Sequence, residues 1–463
     1  MNREVESYDV TVRSLDHDGK PTPEYFLRFV DIDERKAYVP YDESGTVVAR
    51  VPKGRYYLDG FVQTQRGENA WPSTEFAEAN HVVDGDAELV LDARRGKQVD
   101  FTVDEPNAEE GATVLQFAMR TEWGSTGSTL IGAGFDDLFV APSRTSGEGF
   151  TFMVEAELAE PDGSGGQWGF HGSPYMYHLR WHQDGRVPEK LARTVRNKQL
   201  AKAVTEHAVS EPGLLGMRSG FLTGDLPFRL TEYYTPGEPW YDTFEETADP
   251  QDLPVTFQTT ATGREYRKGE VTRQRWNVGV FGPAFPVSDF DPATYAGRLG
   301  DEVRMALPLF ADQAADHDGF SFGASGTTEL LRDGRPVGSS DFPGGGDFVL
   351  PADTGTYTLR TTAERDAPLS TSVSGEWTFS SSHVDGEEPA ALPLLAVRFA
   401  PALDDANTAP AGRFQFPVYV QRNGSATPGR IQKPTVEVSY DDGTTWAPVR
   451  LSWHDGRWLA TVD

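Results

Sequence analysis

The stretch LPFRLTEYYTPGEPWYDTFEE, residues 226–246, is the part of the sequence that indicates most about the fold of the chain. Large aromatic side chains crowd around two turn signals there, Pro236-Gly237 and Glu238-Pro239. Aromatic residues at this density usually close a β-sandwich core or seal one domain against its neighbour. The stretch contains no catalytic pattern, so it predicts a β-rich structural unit.

Composition limits what the chain can be. Its 463 residues predict about three or four domains, and 71 acidic against 42 basic residues give a net charge of −29. This charge excludes nucleic acid and anionic membranes as expected partners. The absence of Cys excludes disulfides and thiolate metal sites. There is no apolar run long enough to span a bilayer, so no membrane insertion is expected.

Alternation of apolar and polar residues predicts an all-β chain of tandem sandwiches. Tyr8, Val10 and Val12 alternate with polar residues, as do Val436 and Val438 further on. Asp-Gly turns separate many such segments. The predicted domains are 1–104, a larger β-sandwich over 105–290, a β-sandwich over 291–398 and a final sandwich over 399–463.

One segment of the second domain predicts helix instead. In PEKLARTVRNKQLAKAVTEH, residues 188–207, Leu191 pairs with Val195 and Leu200 with Val204 at a spacing of four. The step of five residues from Val195 to Leu200 interrupts this apolar spacing. The expectation is therefore a helical insertion, as one long helix or as two short pieces.

Five stretches together resemble the C-terminal accessory region of large secreted bacterial subtilisin-like serine peptidases. They are SYDVTVRSLDHDGKP (7–21), VPKGRYYLDGFV (51–62), LTEYYTPGEPWYDTF (230–244), ALPLLAVRFAPALD (391–404) and VEVSYDDGTTW (436–446). The resemblance implies a transthyretin-like first domain and an immunoglobulin-like last domain. It also implies an extracellular location and a peptidase domain upstream of Met1.

The chain lacks the motifs that would make it an enzyme of that family. Asp353-Thr354-Gly355 follows His171-Gly172-Ser173, which is the wrong order, and Gly-Thr-Ser-Met-Ala does not occur. Ser325 lies in Gly-Ala-Ser-Gly-Thr, which is not a nucleophile elbow. The chain by itself is therefore predicted to be non-catalytic.

Three sets of residues are candidates for binding. Aromatic residues could stack on sugars or on peptide, basic residues could dock on an acidic partner, and paired aspartates could hold calcium, a hard cation that prefers oxygen ligands. Each set also has an alternative without a binding role: the aromatic residues could belong to a buried core, the basic residues to a solvated face, and the aspartates to ordinary Asx turns. The residues are Tyr233, Tyr234, Trp240 and Tyr241; Lys190, Arg193 and Arg196; and Asp16, Asp18, Asp441 and Asp442.

The resulting hypothesis is a non-catalytic accessory region that supports a peptidase domain or positions its protein substrate. The alternative is a carbohydrate-binding or adhesive multi-sandwich protein, whose partner is a glycan. No cofactor is expected beyond weakly bound calcium.

The last domain offers few strand candidates for an immunoglobulin-type sandwich, which needs about seven. We expect that it lacks one or two strands and that its terminal strand exposes an unpaired edge.

Overall fold

A computed structural model describes residues 5–290, 293, 295–427 and 429–462, and these residues form an all-β chain. Its regular elements are β-strands and two three-residue 3₁₀ helices, Ala93–Arg95 and Asn197–Gln199. The prediction of tandem β-sandwiches is confirmed. No helix in the described part of the chain is long and apolar enough to cross a membrane.

The chain divides into two compact units. Unit 1 comprises Met1–Pro161, Tyr175–Ala201 and Tyr233–Pro236, and unit 2 comprises Asp162–Pro174, Lys202–Glu232 and Gly237–Asp463. Both units are therefore assembled from segments that are separated in the sequence.

The strands of unit 1 are the first fifteen in chain order. They are β1 (Ser7–Leu15), β2 (Tyr25–Asp31), β3 (Ala37–Tyr38), β4 (Thr46–Pro52), β5 (Gly54–Gln63), β6 (Ser73–Val83), β7 (Ala87–Asp92), β8 (Lys97–Gln98), β9 (Asp100–Thr102), β10 (Glu109–Thr121), β11 (Gly124–Gly132), β12 (Leu138–Ala141), β13 (Phe150–Ala159), β14 (Tyr175–Asp184) and β15 (Ala192–Thr194).

Three sheets of unit 1 share two hydrophobic cores. The sheet β3-β2-β5-β6-β12-β8 packs on β4-β1-β7 with one face and on the antiparallel strands β11-β10-β13-β14 with the other. Tyr56 and Tyr57 on β5 show how one sheet contributes to two cores, because consecutive residues of a strand point to opposite faces. Tyr56 belongs to the first core and Tyr57 to the second, and both are fully buried. The second core contains residues from both sides of the predicted boundary at residue 104.

Glu75 on β6 lies inside this doubly covered sheet. It is buried, and it accepts a hydrogen bond from Ser73 Oγ at 2.6 Å. Burial disfavours the charged form and raises the pKa of Glu75 to about 7. Because this pKa exceeds that of an unfolded glutamate, the contribution of Glu75 to stability is complete at acidic pH and is lost as the pH rises through 7.

We expect Glu75→Gln to raise the free energy of unfolding at pH 8 by about 1–3 kcal/mol. At this pH the buried glutamate must either lose its hydration as an anion or take up a proton, and the neutral glutamine side chain avoids this cost. Urea denaturation between pH 5 and pH 8 should show a flatter pH profile for this variant than for the wild type. Glu43→Gln, at an exposed loop position, is the control and should keep the wild-type profile. Parallel pH profiles for Glu75→Gln and the wild type would contradict the raised pKa of Glu75.

The strands of unit 2 follow in chain order, except that the first residue of β16 and the last two residues of β19 fall in unit 1. They are β16 (Ala201–His207), β17 (Leu215–Arg218), β18 (Leu222–Asp225), β19 (Phe228–Tyr234), β20 (Pro239–Trp240), β21 (Thr243–Thr247), β22 (Thr256–Thr260), β23 (Arg264–Glu265), β24 (Val271–Trp276), β25 (Ala296–Leu299), β26 (Glu302–Ala306), β27 (His317–Phe320), β28 (Ser325–Arg332), β29 (Arg335–Ser340), β30 (Gly345–Val349), β31 (Gly355–Glu364), β32 (Ser372–Ser381), β33 (Ala390–Ala391), β34 (Leu395–Phe399), β35 (Phe414–Arg422), β36 (Glu437–Val438), β37 (Ala447–Pro448), β38 (Arg450–His454) and β39 (Arg457–Val462).

A sandwich forms the largest core of unit 2. Its sheets are β30-β26-β25-β33 and β29-β28-β31-β32. Val303 and Met305 from the first sheet and Leu330 and Leu359 from the second belong to one buried cluster. Unit 2 also contains the five-stranded sheet β18-β17-β21-β22-β27 and the parallel pair of β16 and β24. These strands precede the sandwich in the sequence, except β27, which lies between β26 and β28.

The predicted helical insertion at 188–207 is wrong. This segment forms β15, a 3₁₀ turn at Asn197–Gln199 and β16. Burial alternates along β16 with a period of two, and Lys202 to His207 pair with Val271 to Trp276. A spacing of four residues fits the period of a strand as well as a helical turn, and the pairing with β24 selects the strand.

The expectation of an unpaired terminal edge is also wrong. β39 lies inside the sheet β34-β35-β39-β38, where Phe414 pairs with Val462 on one side and Arg450 with Thr461 on the other. The core of this sheet is small, with Val418, Leu451 and Ala460 as its buried residues among those described.

Buried arginines connect segments of unit 2. Arg398 on β34 donates to the carbonyl oxygens of Gly282 at 2.9 Å, Pro283 at 3.0 Å and Asp312. Arg298 on β25 donates to the Pro351 carbonyl at 2.8 Å. A guanidinium group carries five N–H donors in a planar fork, so one side chain can hold several distant carbonyls.

We expect Arg398→Met to lower the free energy of unfolding by about 3 kcal/mol or more, because buried and half-buried carbonyls lose a hydrogen-bond donor. Arg398→Lys should recover only part of the loss, since a lysine has three donors at a single point. Arg304→Met is the matched control, because the Arg304 side chain is 85% exposed and pairs with exposed Asp347. Guanidinium denaturation measures all three variants, and equal midpoints for Arg398→Met and Arg304→Met would refute the connecting role.

Candidate functional site

Residues 439–446 link β36 to β37 and hold a tight loop, which we call the aromatic loop. Asp441 accepts hydrogen bonds from Thr445 Oγ1 at 2.7 Å, from the Thr445 amide at 2.8 Å and from Ser439 Oγ at 2.8 Å. The Thr445 hydroxyl and the other donors lower the pKa of Asp441 below its usual value. The turn also needs left-handed backbone at Asp442 and Gly443, with φ of 51° and 79°. One carboxylate therefore organises the loop from within.

Two large aromatic side chains project from the aromatic loop. Trp446 Nε1 donates to the Gly443 carbonyl at 3.1 Å, and a Cβ at position 443 would lie 3.6 Å from the indole. Trp446 is nevertheless 60% exposed and Tyr440 is 71% exposed. Exposed aromatic faces on an ordered loop are suited to ligands with a flat apolar face, because little conformational entropy is lost on binding.

The four aspartates predicted as metal ligands lie in two different units. Asp16 Oδ1 accepts the amides of Asp18 at 2.9 Å and Lys20 at 2.8 Å, and Asp18 pairs with Arg66 at 3.0 Å. Asp441 and Asp442 belong to the aromatic loop. Within either unit, no three described His, Asp or Glu side chains converge as a metal site would require. Calcium stabilisation stays a prediction, which melting curves in chelator and in calcium would test.

The aromatic residues of the opening stretch are mostly packed inside. Tyr233 stacks on Tyr177 with ring centroids 4.9 Å apart, and fully buried Tyr234 stacks on His178 at 4.3 Å. Trp240 is buried as well. These three side chains present little surface to a ligand.

Tyr241 differs from its neighbours in the stretch. Its ring is 41% exposed and lies 5.3 Å from the exposed ring of Phe290. Its hydroxyl donates to Asp289 Oδ2 at 3.2 Å. Tyr241 is thus the predicted aromatic residue with the most accessible face.

The basic residues take part in contacts inside unit 1. The Arg193 guanidinium lies 3.6 Å from the centroid of the Trp181 ring, and Arg196 pairs with Asp104 at 2.8 Å. Lys190 is exposed, and its carbonyl accepts a hydrogen bond from Arg193. Two of the three predicted cations are therefore engaged within the unit.

Sequence reasoning missed a buried charge cluster in unit 2. Arg218 Nη2 lies 2.8 Å from Glu232 Oε1 and 3.2 Å from Asp242 Oδ1, and all three side chains are buried. The signal in the sequence is weak, since Glu232 and Asp242 look like the polar positions of alternating strands. Both carboxylates are buried together with the guanidinium that pairs with them, and removing one partner of such a buried pair is strongly destabilising.

Histidine and tryptophan side chains surround this cluster. The Trp276 ring has Arg218 at 4.7 Å and the His317 ring at 3.9 Å. His317 Nδ1 lies 3.0 Å from Asp312 Oδ1; burial alone would lower the pKa of His317, but Asp312 outweighs burial and raises it. Burial lowers the pKa of His207 to about 3, so this side chain is neutral at physiological pH.

The residues closest to peptidase motifs are engaged in other contacts. Asp353 pairs with Arg332 at 2.5 Å, and His171 Nδ1 lies 3.1 Å from Thr223 Oγ1. Ser325 begins strand β28. These contacts do not build the Ser-His-Asp relay of a serine peptidase.

Comparisons with known proteins leave the family open. No protein-family model matches the chain, and no curated protein matches it. The Bacillus anthracis TIE protein is a solved structure that aligns at 10% identity and a TM-score of 0.14, over 59% of this chain and about half (51%) of its own length.

Two further structures align at similar levels. A streptococcal ancillary pilin has 10% identity and a TM-score of 0.14, covering 59% of this chain and 99% of its own. The tetra-tandem repeat in the extending region of a large adhesion protein has 11% identity and a TM-score of 0.12, covering 80% and 99%. Similarity at these scores carries no functional argument.

We expect the isolated chain to be proteolytically silent, because Asp353 and His171 are engaged in other contacts. Incubation with casein should release no peptides, and a fluorophosphonate probe should label no serine. Labelling of one serine together with turnover would contradict this expectation, and active subtilisin serves as the positive control.

Proposed function

We propose that the chain is a non-catalytic adhesive protein that acts outside the cell and binds carbohydrate through the aromatic loop. The observation that carries this proposal is the combination of order and exposure at Trp446 and Tyr440. Their loop is fixed by the hydrogen bonds of Asp441, yet both rings remain largely in contact with solvent. Exposed apolar groups on soluble domains commonly mark interaction sites.

The charge of the protein narrows the class of ligand. With a net charge of −29 and two aspartates in the aromatic loop itself, polyanions are repelled. A neutral sugar chain avoids this repulsion and presents the flat C–H faces that stack on indole and phenol rings. Neutral glycans are therefore the class that the site fits best.

We expect Trp446→Ala and Tyr440→Ala each to weaken glycan binding by about tenfold or more, as loss of a central aromatic contact does in other interfaces. Asp441→Ala should also weaken binding, because the loop loses its internal anchor. A glycan array followed by titration of the best neutral glycan measures these effects.

Trp453→Ala is the matched control. Trp453 lies on β38 in the four-stranded sheet β34-β35-β39-β38, outside the aromatic loop and its strand pair β36-β37, and is 61% exposed. This variant should bind as the wild type does. Equal losses for Trp446→Ala and Trp453→Ala, or no glycan bound by the wild type, would refute the proposal.

The second candidate function is the accessory region of a subtilisin-like peptidase, and the five sequence stretches that resemble that family favour it. A purified peptidase domain of this family should then bind the chain in a pull-down and raise its melting temperature. Retention of the peptidase domain by the Trp446→Ala variant would separate this role from glycan binding.

A further inference from the structure

Strand β11 in unit 1 has an open edge of unusual composition. It spans Gly124–Gly132 with the sequence GSTGSTLIG, and its ladder is formed with β10. The surrounding run Trp123 to Phe135 contains no charged residue, although 24% of the chain is charged. Ile131 on this strand is 81% exposed. An exposed edge without charge or proline is a template for pairing with another strand.

The other edges in the described sheets are protected. Every other edge strand of five residues or more contains at least one charged residue, which is the usual protection against edge pairing. These strands and residues are β4 with Arg50, β7 with Glu88, β24 with Arg273, β29 with Arg335, β30 with Asp347, β32 with Glu376, β34 with Arg398 and β38 with Arg450. Among these edges, β11 therefore stands apart.

The direction of the free backbone groups follows from one contact. Arg28, which pairs with Asp59 at 2.6 Å, donates from Nη2 to the Gly127 carbonyl at 3.1 Å, so this carbonyl points away from β10. In an antiparallel ladder, alternate residues share the same direction. Thr129 and Ile131 therefore also present their N–H and C=O groups to the free edge.

We propose that β11 is a self-association edge, which pairs antiparallel with β11 of a second copy of this chain. The strand itself carries no charge, and Arg28, the cation on the Gly127 carbonyl, is neutralised by Asp59, so two copies can meet here without bringing uncompensated like charges into contact. The small Gly, Ser and Thr side chains leave the backbone accessible for hydrogen bonds. The rest of the acidic surface opposes approach, and therefore dimerisation strengthens as salt screens the net charge of −29.

Sedimentation velocity over a range of concentrations, in low and in high salt, tests this proposal. The wild type should form a weak dimer, because edge pairing alone buries a small area, and more dimer should form in high salt. Thr129→Pro removes an outward N–H without breaking the ladder with β10 and should weaken the dimer by about tenfold or more. Thr129→Val is its control, because it loses the same hydrogen bond from Gln116 but keeps the backbone N–H.

A second pair of variants tests the edge through charge. Ile131→Lys places a cation on the free edge of each copy and should abolish the dimer. Val271→Lys on β24 makes the same chemical change at a residue that is 70% exposed and should leave dimerisation intact. Circular dichroism should show the same fold for all variants.

Each outcome decides the proposal. A dimer that Thr129→Pro and Ile131→Lys disrupt, and that both controls preserve, supports it. A wild type that stays monomeric at high concentration and high salt overturns it, and so does a dimer that Thr129→Pro and Ile131→Lys leave unchanged. Cross-linking of Ile131→Cys to an unrelated extended peptide, with no self-cross-link, would also overturn the proposal, because the edge would then accept a different occupant.

Discussion

Buried guanidinium groups are the interactions on which unit 2 depends most. The chain has no cysteine, so no disulfide can join its segments. Arg398 and Arg298 instead reach the carbonyl oxygens of segments far away in the sequence, and Arg365 does the same toward Val255 while also donating to the carbonyl of Leu369, four residues away. These carbonyls lie in buried or partly buried bonds, and leaving such a group without a donor costs more than the bond itself contributes. One long polar side chain thus stabilises several irregular segments together.

Aromatic rings complete this arrangement. The Arg365 guanidinium lies 4.5 Å from the ring centroid of Phe310, and Arg218 lies 4.7 Å from that of Trp276. A guanidinium is weakly hydrated and planar, so it can donate in its plane and stack with its face at the same time. Arginine therefore serves as part of the hydrophobic core in this unit, while lysine remains at exposed or half-buried positions.

At the two proposed interaction sites, groups that proteins usually bury or protect are exposed: aromatic rings at one site and the backbone groups of a strand edge at the other. The aromatic loop keeps Trp446 and Tyr440 exposed although the rest of its structure is ordered. Strand β11 keeps an uncharged edge although the other long edges carry charge. Such exceptions are costly in an isolated domain, because exposed apolar groups and open edges favour aggregation. A binding role accounts for both of them.

The sequence by itself determined the properties that depend on neighbouring residues or on total composition. Alternation at Tyr8, Val10 and Val12 and the Asp-Gly turns indicated the all-β class, and the absence of Cys excluded disulfides. Only the tertiary structure decided which elements pair and which side chains are covered. Residues 201–207 became a strand because β24 lies beside them, and Tyr234 became buried while Trp446 stayed exposed, although both occur next to similar turns. The partners of Arg398 lie more than eighty residues away. The physical reason is that strand pairing and burial depend on contacts distant in the chain, which a local pattern does not encode.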